Sequence, residues 1–240
     1  MATAIIQARM GSTRLPGKVL RGLGGRSVLG WVVRAADESR AFDRVVVATT
    51  TLDEDDAVES EASALGVEAV RGPVDDVLSR FLLLVDAGSA DPLVRLTADC
   101  PLLDPAVIAM VVGAFDAGDV DYLSTTHPRS LPRGLDVEAF SADTLRKAGE
   151  MADGTDRVHV TSCIYRNPVV FKTAGLIFHP RADDLRVTLD TPADAELIEA
   201  VVAQLGDRPP RWRELVDLLR KRPDIAAINA HVRQKQPHEG

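Results

Sequence analysis

Short apolar runs alternate along the chain with longer segments of helical period. Short apolar runs that contain β-branched residues predict strands at residues 4–8, 44–48, 67–70 and 92–96. Apolar residues between these runs recur on single helical faces, at Val28, Leu29, Val32, Val33 and Ala36 and again at Val77, Leu78, Phe81, Leu82 and Val85. The alternation is typical of βαβ units, so we predict an α/β fold with a largely parallel sheet.

The second half of the chain keeps this rhythm only in part. "LDPAVIAMVVGAF" predicts a helix that Asp104 caps and Pro105 begins. Residues 119–173 then indicate a small α+β excursion that contains the loop "HPRSLPRG" and the strand-like "LDVEAF". A strand, a turn and a helix return in "LRVTLDTPADAELIEAVVAQL", and a C-terminal helical segment breaks near Pro223. We predict one domain over residues 1–240, with 119–173 as its excursion.

Composition restricts the kinds of ligand that the protein can bind. The 240 residues are 45% hydrophobic and 27% charged, which is ordinary for a globular protein, and the net charge is −8. This charge argues against a broad nucleic-acid surface, so an anionic ligand must meet a local basic cluster. Two cysteines are too few for a disulfide framework or a metal quartet. No run of about 18 apolar residues and no export signal is visible, so we expect a cytoplasmic protein without a membrane span.

The loop after the first strand is basic and rich in glycine. "QARMGSTRLPGK" offers backbone N–H groups at Gly11 and Ser12 together with the charges of Arg9, Arg14 and Lys18, an arrangement that suits phosphate groups. Its spacing is neither that of a Walker loop nor that of the dinucleotide motif G-x-G-x-x-G. Taken alone, the stretch reads equally well as a solvated basic turn.

Two carboxylates follow apolar strand-like runs at distant points of the chain. Asp99 lies in "LTADCP" and Asp190 in "TLDTPAD". Because ligands of open α/β sheets bind at the carboxyl ends of the strands, these two oxygens and the basic loop should converge. The set suits Mg²⁺ that is bound mainly through substrate phosphates. Each residue alone reads more simply as a cap, Asp99 of a turn and Asp190 of a helix.

A second tier of basic residues lies in "RGPVDDVLSR". Arg71 or Arg80 could reach a base or a phosphate, whereas Asp75 suits the cap of the following helix. Solvation at the surface is the simpler reading of Arg80.

With these residues assembled, the chain resembles the cytidylyltransferase family that includes the CMP-acylneuraminate and CMP-KDO synthetases, and most closely its spore coat polysaccharide biosynthesis branch. The resemblance runs from residue 4 to about 205 and depends on "IIQARMGSTRLPGKVL", "DDVLSR", "LTADCPLLDP", "GLDVEAF" and "RVTLDTPAD" in this order. It implies a Rossmann-like, three-layer fold of the nucleotide-diphospho-sugar transferase type, with a mostly parallel mixed sheet.

The resemblance also implies an activity, the transfer of CMP from CTP to an acceptor with release of pyrophosphate. It places Mg²⁺ on Asp99 and Asp190 and gives catalytic roles to Lys18, Arg14 and Arg9. The ends of the second and third strands would frame the nucleoside, at Ala48, Thr49 and Arg71. The remaining CTP contacts that the resemblance implies fall on Ala8, Gly11, Ser12, Thr13 and Arg80.

The resemblance says less about the residues that would bind the acceptor. Family members commonly read "REHVT" where this chain has "RVHVT", with Val158 in place of the acid. The acceptor-site candidates are Arg129, Arg133, Asp136, Glu138, His159 and Thr161. Two arginines in one loop favour an acidic acceptor, such as a sugar acid or a phosphonate. A glycosyltransferase and a nucleotide-binding protein without turnover stay open as alternatives, and the family suggests a homodimer through residues 119–173.

Overall fold

A seven-stranded sheet forms the centre of the molecule, for which a computed structural model describes residues 2–88 and 91–233. The strand order is β5-β4-β1-β6-β8-β7-β9. These strands are β1 (Thr3–Gln7), β4 (Arg44–Thr50), β5 (Glu68–Gly72), β6 (Leu93–Thr97), β7 (Tyr122–Ser124), β8 (Glu138–Phe140) and β9 (Thr173–Gly175), and a separate hairpin joins β2 (Gly22–Leu23) to β3 (Arg26–Ser27).

Most neighbouring strands run parallel. β1 pairs in parallel with both β4 and β6, and β4 pairs in parallel with β5. β8 is antiparallel to both β6 and β7, while β7 and β9 are parallel to each other. The carboxyl ends of β1, β4, β5 and β6 therefore lie at one edge of the sheet, where an α/β fold places its ligand.

Helices cover both faces of the sheet. They are α1 (Val28–Ser39), α2 (Asp56–Ala64), α3 (Val77–Asp86), α4 (Pro105–Ala117), α5 (Ala142–Met151), α6 (Thr155–Val158), α7 (Ser162–Tyr165), α8 (Pro192–Leu205), α9 (Trp212–Lys221) and α10 (Pro223–Ala227). Side-chain caps begin the main ones, at Ser27, Asp76, Asp104, Ser141 and Thr191. The proline and cap predicted for α4 are confirmed, and the cap of α3 is Asp76 where Asp75 was expected.

Two apolar clusters fill the space between the sheet and these helices. Successive residues of β1 point to opposite faces, so Ile6 joins the cluster with Trp31 of α1, whereas Ile5 joins the cluster with Phe81 of α3. All four residues have no measurable exposure to solvent. The predicted three-layer α/β sandwich with a mostly parallel mixed sheet is confirmed.

Residues 119–173 extend the sheet and contribute helices beside it. They supply β7 and β8 together with α5, α6 and α7, and β9 begins at Thr173. The strand predicted in "LRVTL" is wrong: Arg186 forms a single bridge-type pair with Arg133. Its neighbours bond to irregular chain, because Val187 N donates to the Arg133 carbonyl and Leu189 N to that of Asp99.

Among residues 2–88 and 91–233, no helix has the length and apolar character that crossing a bilayer requires.

Candidate active site

One cavity of about 460 Å³ opens at the carboxyl ends of β1 and β6. It brings together the basic loop, Asp99 and Asp190, which were expected to meet. The lining includes the loop after β1, the turn after β6, the acceptor candidates of residues 133–159 and the segment before α8. The lining residues that the sequence singled out are Ala8, Arg9, Gly11, Ser12, Thr13, Arg14, Lys18, Asp99, Arg133, Asp136, Glu138, His159 and Asp190.

The loop after β1 is held in shape by its own backbone and by a buried carboxylate. Gly17 N donates to the Met10 carbonyl at 3.0 Å, and the positive φ of 69° at Gly17 suits glycine. Met10 N donates to Asp55 Oδ1 at 2.6 Å, and Thr50 Oγ1 donates to the other Asp55 oxygen. Asp55 has no exposure to solvent, so it anchors the loop from below without facing the cavity. No motif in the sequence indicated this role.

Lys18 lies between the two carboxylates that the sequence paired. Its Nζ donates to Asp99 Oδ2 at 2.9 Å and to Asp190 Oδ1 at 2.7 Å. Arg14 adds a third cation, with Nη2 3.1 Å from Asp190 Oδ2. Burial lowers the pKa of the Lys18 ammonium, but the carboxylates outweigh burial and the pKa is raised above its usual value.

The backbone explains why Asp99 and Asp190 converge. Leu189 N donates to the Asp99 carbonyl at 2.8 Å, and Thr188 Oγ1 contacts the same oxygen at 3.2 Å. The turn after β6 is therefore joined directly to the segment before α8. The helix cap of α8 is Thr191, so Asp190 does not have the capping role that the residue taken alone suggested, and its carboxylate faces Lys18.

The donor set at this point fits a divalent cation. A positively charged ammonium already sits between the two carboxylates, which marks the place as favourable for a cation. In the described part of the chain no cluster of three or more His, Cys, Asp or Glu could hold a metal. A cation here would take two protein oxygens and obtain its other ligands from water or from substrate, as Mg²⁺ usually does.

A buried polar network forms the floor of the cavity. Arg95 of β6 donates to Glu138 Oε2 at 2.7 Å and, through Nε and Nη2, to Gln7 Oε1 at 3.2 and 3.0 Å. Tyr122 Oη donates to Glu138 Oε1 at 3.0 Å, and Thr161 Oγ1 lies 3.2 Å from both Glu138 oxygens. Glu138 and Thr161 are thus hydrogen-bonded to each other, and Glu138 is also bonded to Arg95 and Tyr122.

The sequence interpretation missed four polar residues of the cavity wall. Gln7, Arg95 and Thr97 line it from β1 and β6, and Thr188 lines it from the segment before α8. A signal was present, because "IIQA" and "LVRLT" each place a polar residue inside an apolar strand. A polar side chain near the end of a buried parallel strand usually needs a partner or a ligand.

The two arginines of the 127–134 loop differ in their surroundings. Arg129 forms a two-pronged pair with Asp136, at 2.6 and 2.9 Å. Arg133 lines the cavity, and burial together with the nearby charge of Arg129 lowers its pKa below the usual value. Within the described ranges no carboxylate forms an ion pair with the Arg133 guanidinium. Gly134 packs this loop against residues 187–188, where a Cβ would lie 2.5 Å from Thr188 N.

The nucleoside candidates lie at the ends of β4 and β5, and the structure does not place them in the cavity wall. Arg71 donates to Asp56 and Glu59 and to the carbonyls of Thr50 and Leu52. Ala48 and Thr49 are buried, and Ala48 accepts a backbone hydrogen bond from Ala8 at 3.1 Å. Arg80 is fully buried, although surface solvation was the simpler expectation.

Two buried side chains beside these strands, Thr49 and Arg80, carry polar atoms without protein partners in the described structure. Thr49 Oγ1 and the Nε and Nη1 atoms of Arg80 have none in the described structure, and Arg80 Nη2 donates to the Val74 carbonyl at 3.2 Å. Burial lowers the pKa of Arg80, and the charge of Arg9 acts in the same direction. Unmet donors are uncommon in protein interiors and are often found near ligand sites.

Comparisons with known proteins agree with this geometry. A family model described as cytidylyltransferase matches residues 3–207. The spore coat polysaccharide biosynthesis protein SpsF of Bacillus subtilis (strain 168) is 36% identical over 92% of this chain and 95% of its own length. A 3-deoxy-manno-octulosonate cytidylyltransferase of Synechococcus elongatus is 34% identical over about half of each chain, 51% of this one and 50% of the relative.

A solved structure extends the likeness to three dimensions. It is a cytidylyltransferase from Leptospira borgpetersenii serovar Hardjo-bovis (strain JB197), with a TM-score of 0.91 and 29% identity. The match covers 98% of this chain and 99% of that one, so it includes the excursion of residues 119–173 as well as the parallel part of the sheet.

Proposed function

Because the chain belongs to the cytidylyltransferase family and is a CTP-dependent nucleotidyltransferase, we propose that it transfers CMP from CTP to a small acidic acceptor, such as a nonulosonic sugar acid, and releases pyrophosphate. The observation that carries the proposal is the meeting of Lys18, Asp99 and Asp190 beneath the basic loop, in the same cavity as Arg133. This arrangement provides separate places for a triphosphate and for an anionic acceptor.

The loop after β1 is the proposed triphosphate site. Its Gly11 and Ser12 backbone can approach phosphate oxygens closely, and Arg9, Arg14 and Lys18 supply positive charge. In the proposed step a hydroxyl oxygen of the acceptor attacks the α-phosphorus in line and its proton passes to solvent, while the bond from the α-phosphorus to the oxygen that bridges to the β-phosphate breaks. Charge builds on the departing pyrophosphate, which Lys18 and Arg14 would stabilise.

Mg²⁺ is the proposed cofactor, held by Asp99 and Asp190. When bound it would polarise phosphate oxygens and neutralise part of their charge. In the structure the Lys18 ammonium is hydrogen-bonded to one oxygen of each of these aspartates, Asp99 Oδ2 and Asp190 Oδ1. A ligand that brings phosphates would give this ammonium an alternative partner, which frees the carboxylates.

Arg133 and His159 are the proposed acceptor contacts. Among the described residues no carboxylate pairs with the Arg133 guanidinium, and such a group on the cavity wall suits an acceptor carboxylate, because the two form paired, charge-assisted hydrogen bonds. Arg129, Asp136, Glu138 and Thr161 would support the site through their internal bonds. The names of two relatives support an acid or polysaccharide context, since one is a 3-deoxy-manno-octulosonate cytidylyltransferase and the other a spore coat polysaccharide biosynthesis protein.

For the nucleoside we propose the region of Ala48, Thr49, Arg71 and Arg80. The unmet donors of Thr49 and Arg80 support this assignment, because a pyrimidine base carries carbonyl and ring-nitrogen acceptors. We further propose that the protein works in the cytoplasm as a homodimer formed through residues 119–173. A monomeric mass in solution, measured by light scattering, would rule out the dimer.

The test is pyrophosphate release from CTP, measured with a panel of sugar acids and phosphonates in the presence of Mg²⁺. We expect release with CTP, little with ATP, GTP or UTP, and the highest rate with a sugar acid. A phosphonate as the best acceptor would change the acceptor class and keep the cytidylyl transfer. No release with any acceptor, or turnover only of a nucleotide-sugar, would contradict the proposal.

A further inference from the structure

A buried carboxylate behind the cavity has more hydrogen bonds than a structural cap requires. Asp194 of α8 has no exposure to solvent. Its Oδ2 accepts from Thr191 N at 2.9 Å, which is part of the capping box of α8, and also from Asp190 N and Thr191 Oγ1, both at 3.0 Å. Two further residues, Arg186 and Asn229, donate to the same carboxylate from outside the helix.

Arg186 connects Asp194 to the cavity. Its Nε lies 2.9 Å from Asp194 Oδ1, and its Nη2 lies 3.0 Å from Asp194 Oδ2 and 2.8 Å from Asp190 Oδ2. A guanidinium held by two hydrogen bonds has a fixed plane, so the N–H group that it donates to Asp190 Oδ2 is fixed in direction. The other Asp190 oxygen is then left for Lys18 Nζ at 2.7 Å.

Asn229 closes this network from the C-terminal end of the described chain. It follows α10, is 3% exposed, and lies beyond residue 207, where the match to the family model ends. Its Nδ2 donates to Asp194 Oδ1 at 2.7 Å and to the Arg186 carbonyl at 3.2 Å. Both partners accept only, so the chemistry fixes the amide with its nitrogen facing them and both of its protons in use.

We infer that Asn229, Asp194 and Arg186 act as positioning residues that hold the Asp190 carboxylate toward Lys18 and the phosphate side of the cavity. The C-terminal segment is thereby part of the support of the site, in addition to its packing against α8 and α9. Burying an amide has a free-energy cost unless its donors are satisfied, and here both donors point to groups that fix Asp190. The inference rests on the proposed function for the role of Asp190.

The experiment measures CTP binding by calorimetry without acceptor, once with Mg²⁺ and once with EDTA. The dissociation constant measured with EDTA is divided by that measured with Mg²⁺. This ratio reports how well Asp99 and Asp190 engage the metal, and it is independent of turnover. We expect Arg186→Gln to reduce this ratio about tenfold, as loss of an outer-shell partner of a metal ligand does. Asn229→Ala should reduce it about threefold, the effect of one net hydrogen bond.

Two controls separate positioning from folding. Ile225→Ala removes a buried side chain from α10, and Asn167→Ala removes an amide that donates to the Cys163 carbonyl at 2.6 Å, away from the network. Both should lower the melting temperature and leave the ratio at the wild-type value. Asn229→Asp, which sets a carboxylate against Asp194, should reduce the ratio more than Asn229→Ala.

The outcomes distinguish the inference from the proposed function. If wild-type protein bound CTP equally with Mg²⁺ and with EDTA, the result would contradict both the positioning role and the proposed metal site on Asp99 and Asp190. If the wild type showed the metal effect and Asn229→Ala and Arg186→Gln retained it, or if Ile225→Ala reduced it equally, only the positioning role would be overturned.

Discussion

The two sides of the cavity are built from different parts of the fold. The proposed phosphate side consists of the carboxyl ends of the parallel strands β1 and β6 and the loop that carries Lys18. The proposed acceptor side consists of the antiparallel strand β8 and irregular segments, including the loop of Arg129 and Arg133. The parallel strands bring distant residues to one edge by topology, whereas the acceptor side needs specific side-chain pairs to hold its shape.

The charged pairs on the two sides also differ in what surrounds them. Lys18 and its two aspartates face the cavity, so a ligand can exchange with any of them. The Arg95–Glu138 pair also lines the cavity, but its members are bonded to further protein groups, Gln7, Tyr122 and Thr161, and burial raises the pKa of the Tyr122 hydroxyl well above its usual value. The first arrangement favours chemistry and the second favours rigidity, so substitutions on the two sides should affect different measurements.

The largest effect should come from Lys18→Ala. The ammonium is the group nearest to both proposed metal-binding carboxylates, and its loss removes charge stabilisation from the transition state. We expect the rate of pyrophosphate release to fall about 1,000-fold, while circular dichroism shows a folded protein. A rate within tenfold of wild type would contradict the role of Lys18.

Asp99→Asn is the matched comparison for this variant, because it keeps the shape of the side chain and removes its charge. The residual rate should no longer respond to the Mg²⁺ concentration, in contrast to that of Lys18→Ala. A normal Mg²⁺ response in Asp99→Asn would remove Asp99 from the metal site.

The next effect, on stability, should come from Glu138→Gln on the acceptor side. The change leaves the buried Arg95 charge without its carboxylate, so we expect the free energy of unfolding to fall by about 3 kcal/mol. The control is Glu199→Gln, which breaks the exposed pair with Arg21 and should cost less than about 1 kcal/mol. Equal midpoints for both variants in urea unfolding would contradict the distinction between the two sides.

The same comparison explains which features the sequence could predict. The strands at the parallel end were found because buried parallel strands are short apolar runs, and the meeting of Lys18 and Asp99 follows from the rule that parallel strands end at one edge. Asp190 meets them for a different reason, because the irregular segment before it is bonded to the turn after β6 through Leu189 N and the Asp99 carbonyl.

Side-chain pairing across the fold could not be predicted in this way. Glu138 was expected at the acceptor, and its engagement with Arg95 depends on the antiparallel register of β6 and β8. "LRVTL" has the composition of a strand, but its hydrogen-bond partners are a loop and a turn. Asn229 carries no local signal, because its role depends on where α10 packs. Such contacts are decided by tertiary structure.

A smaller effect should come from Arg133, the arginine of the 127–134 loop that lines the cavity. Arg133→Ala should raise the KM for the acid acceptor about tenfold, as expected for loss of one charge-assisted hydrogen bond, with the KM for CTP nearly unchanged. The control is Arg44→Ala, at the amino-terminal end of β4 and at an exposed pair with Glu68, which should leave both constants unchanged. A rise in the KM for CTP alone would place Arg133 on the phosphate side instead.

The smallest effect should be the pH dependence of the Arg129–Asp136 pair. Burial would raise the pKa of Asp136, but the hydrogen bonds and charge of Arg129 outweigh burial and hold it below its usual value. A lowered folded-state pKa adds stability above the unfolded value of about 3.9, and this stability is lost as pH falls through the folded-state pKa. Wild type should therefore exceed Asp136→Asn by about 1 kcal/mol in unfolding free energy at neutral pH, since the pair is partly exposed.

That difference should stay constant from pH 7 to about 5 and shrink below about pH 4, because protonated Asp136 and asparagine are both neutral. Urea unfolding at a series of pH values measures it. Asp143→Asn, which breaks the exposed pair with Arg146, supplies the surface comparison and should differ little from wild type at neutral pH. A difference for Asp136→Asn that grew as the pH fell would mean that Arg129 is not the group that stabilises the Asp136 carboxylate.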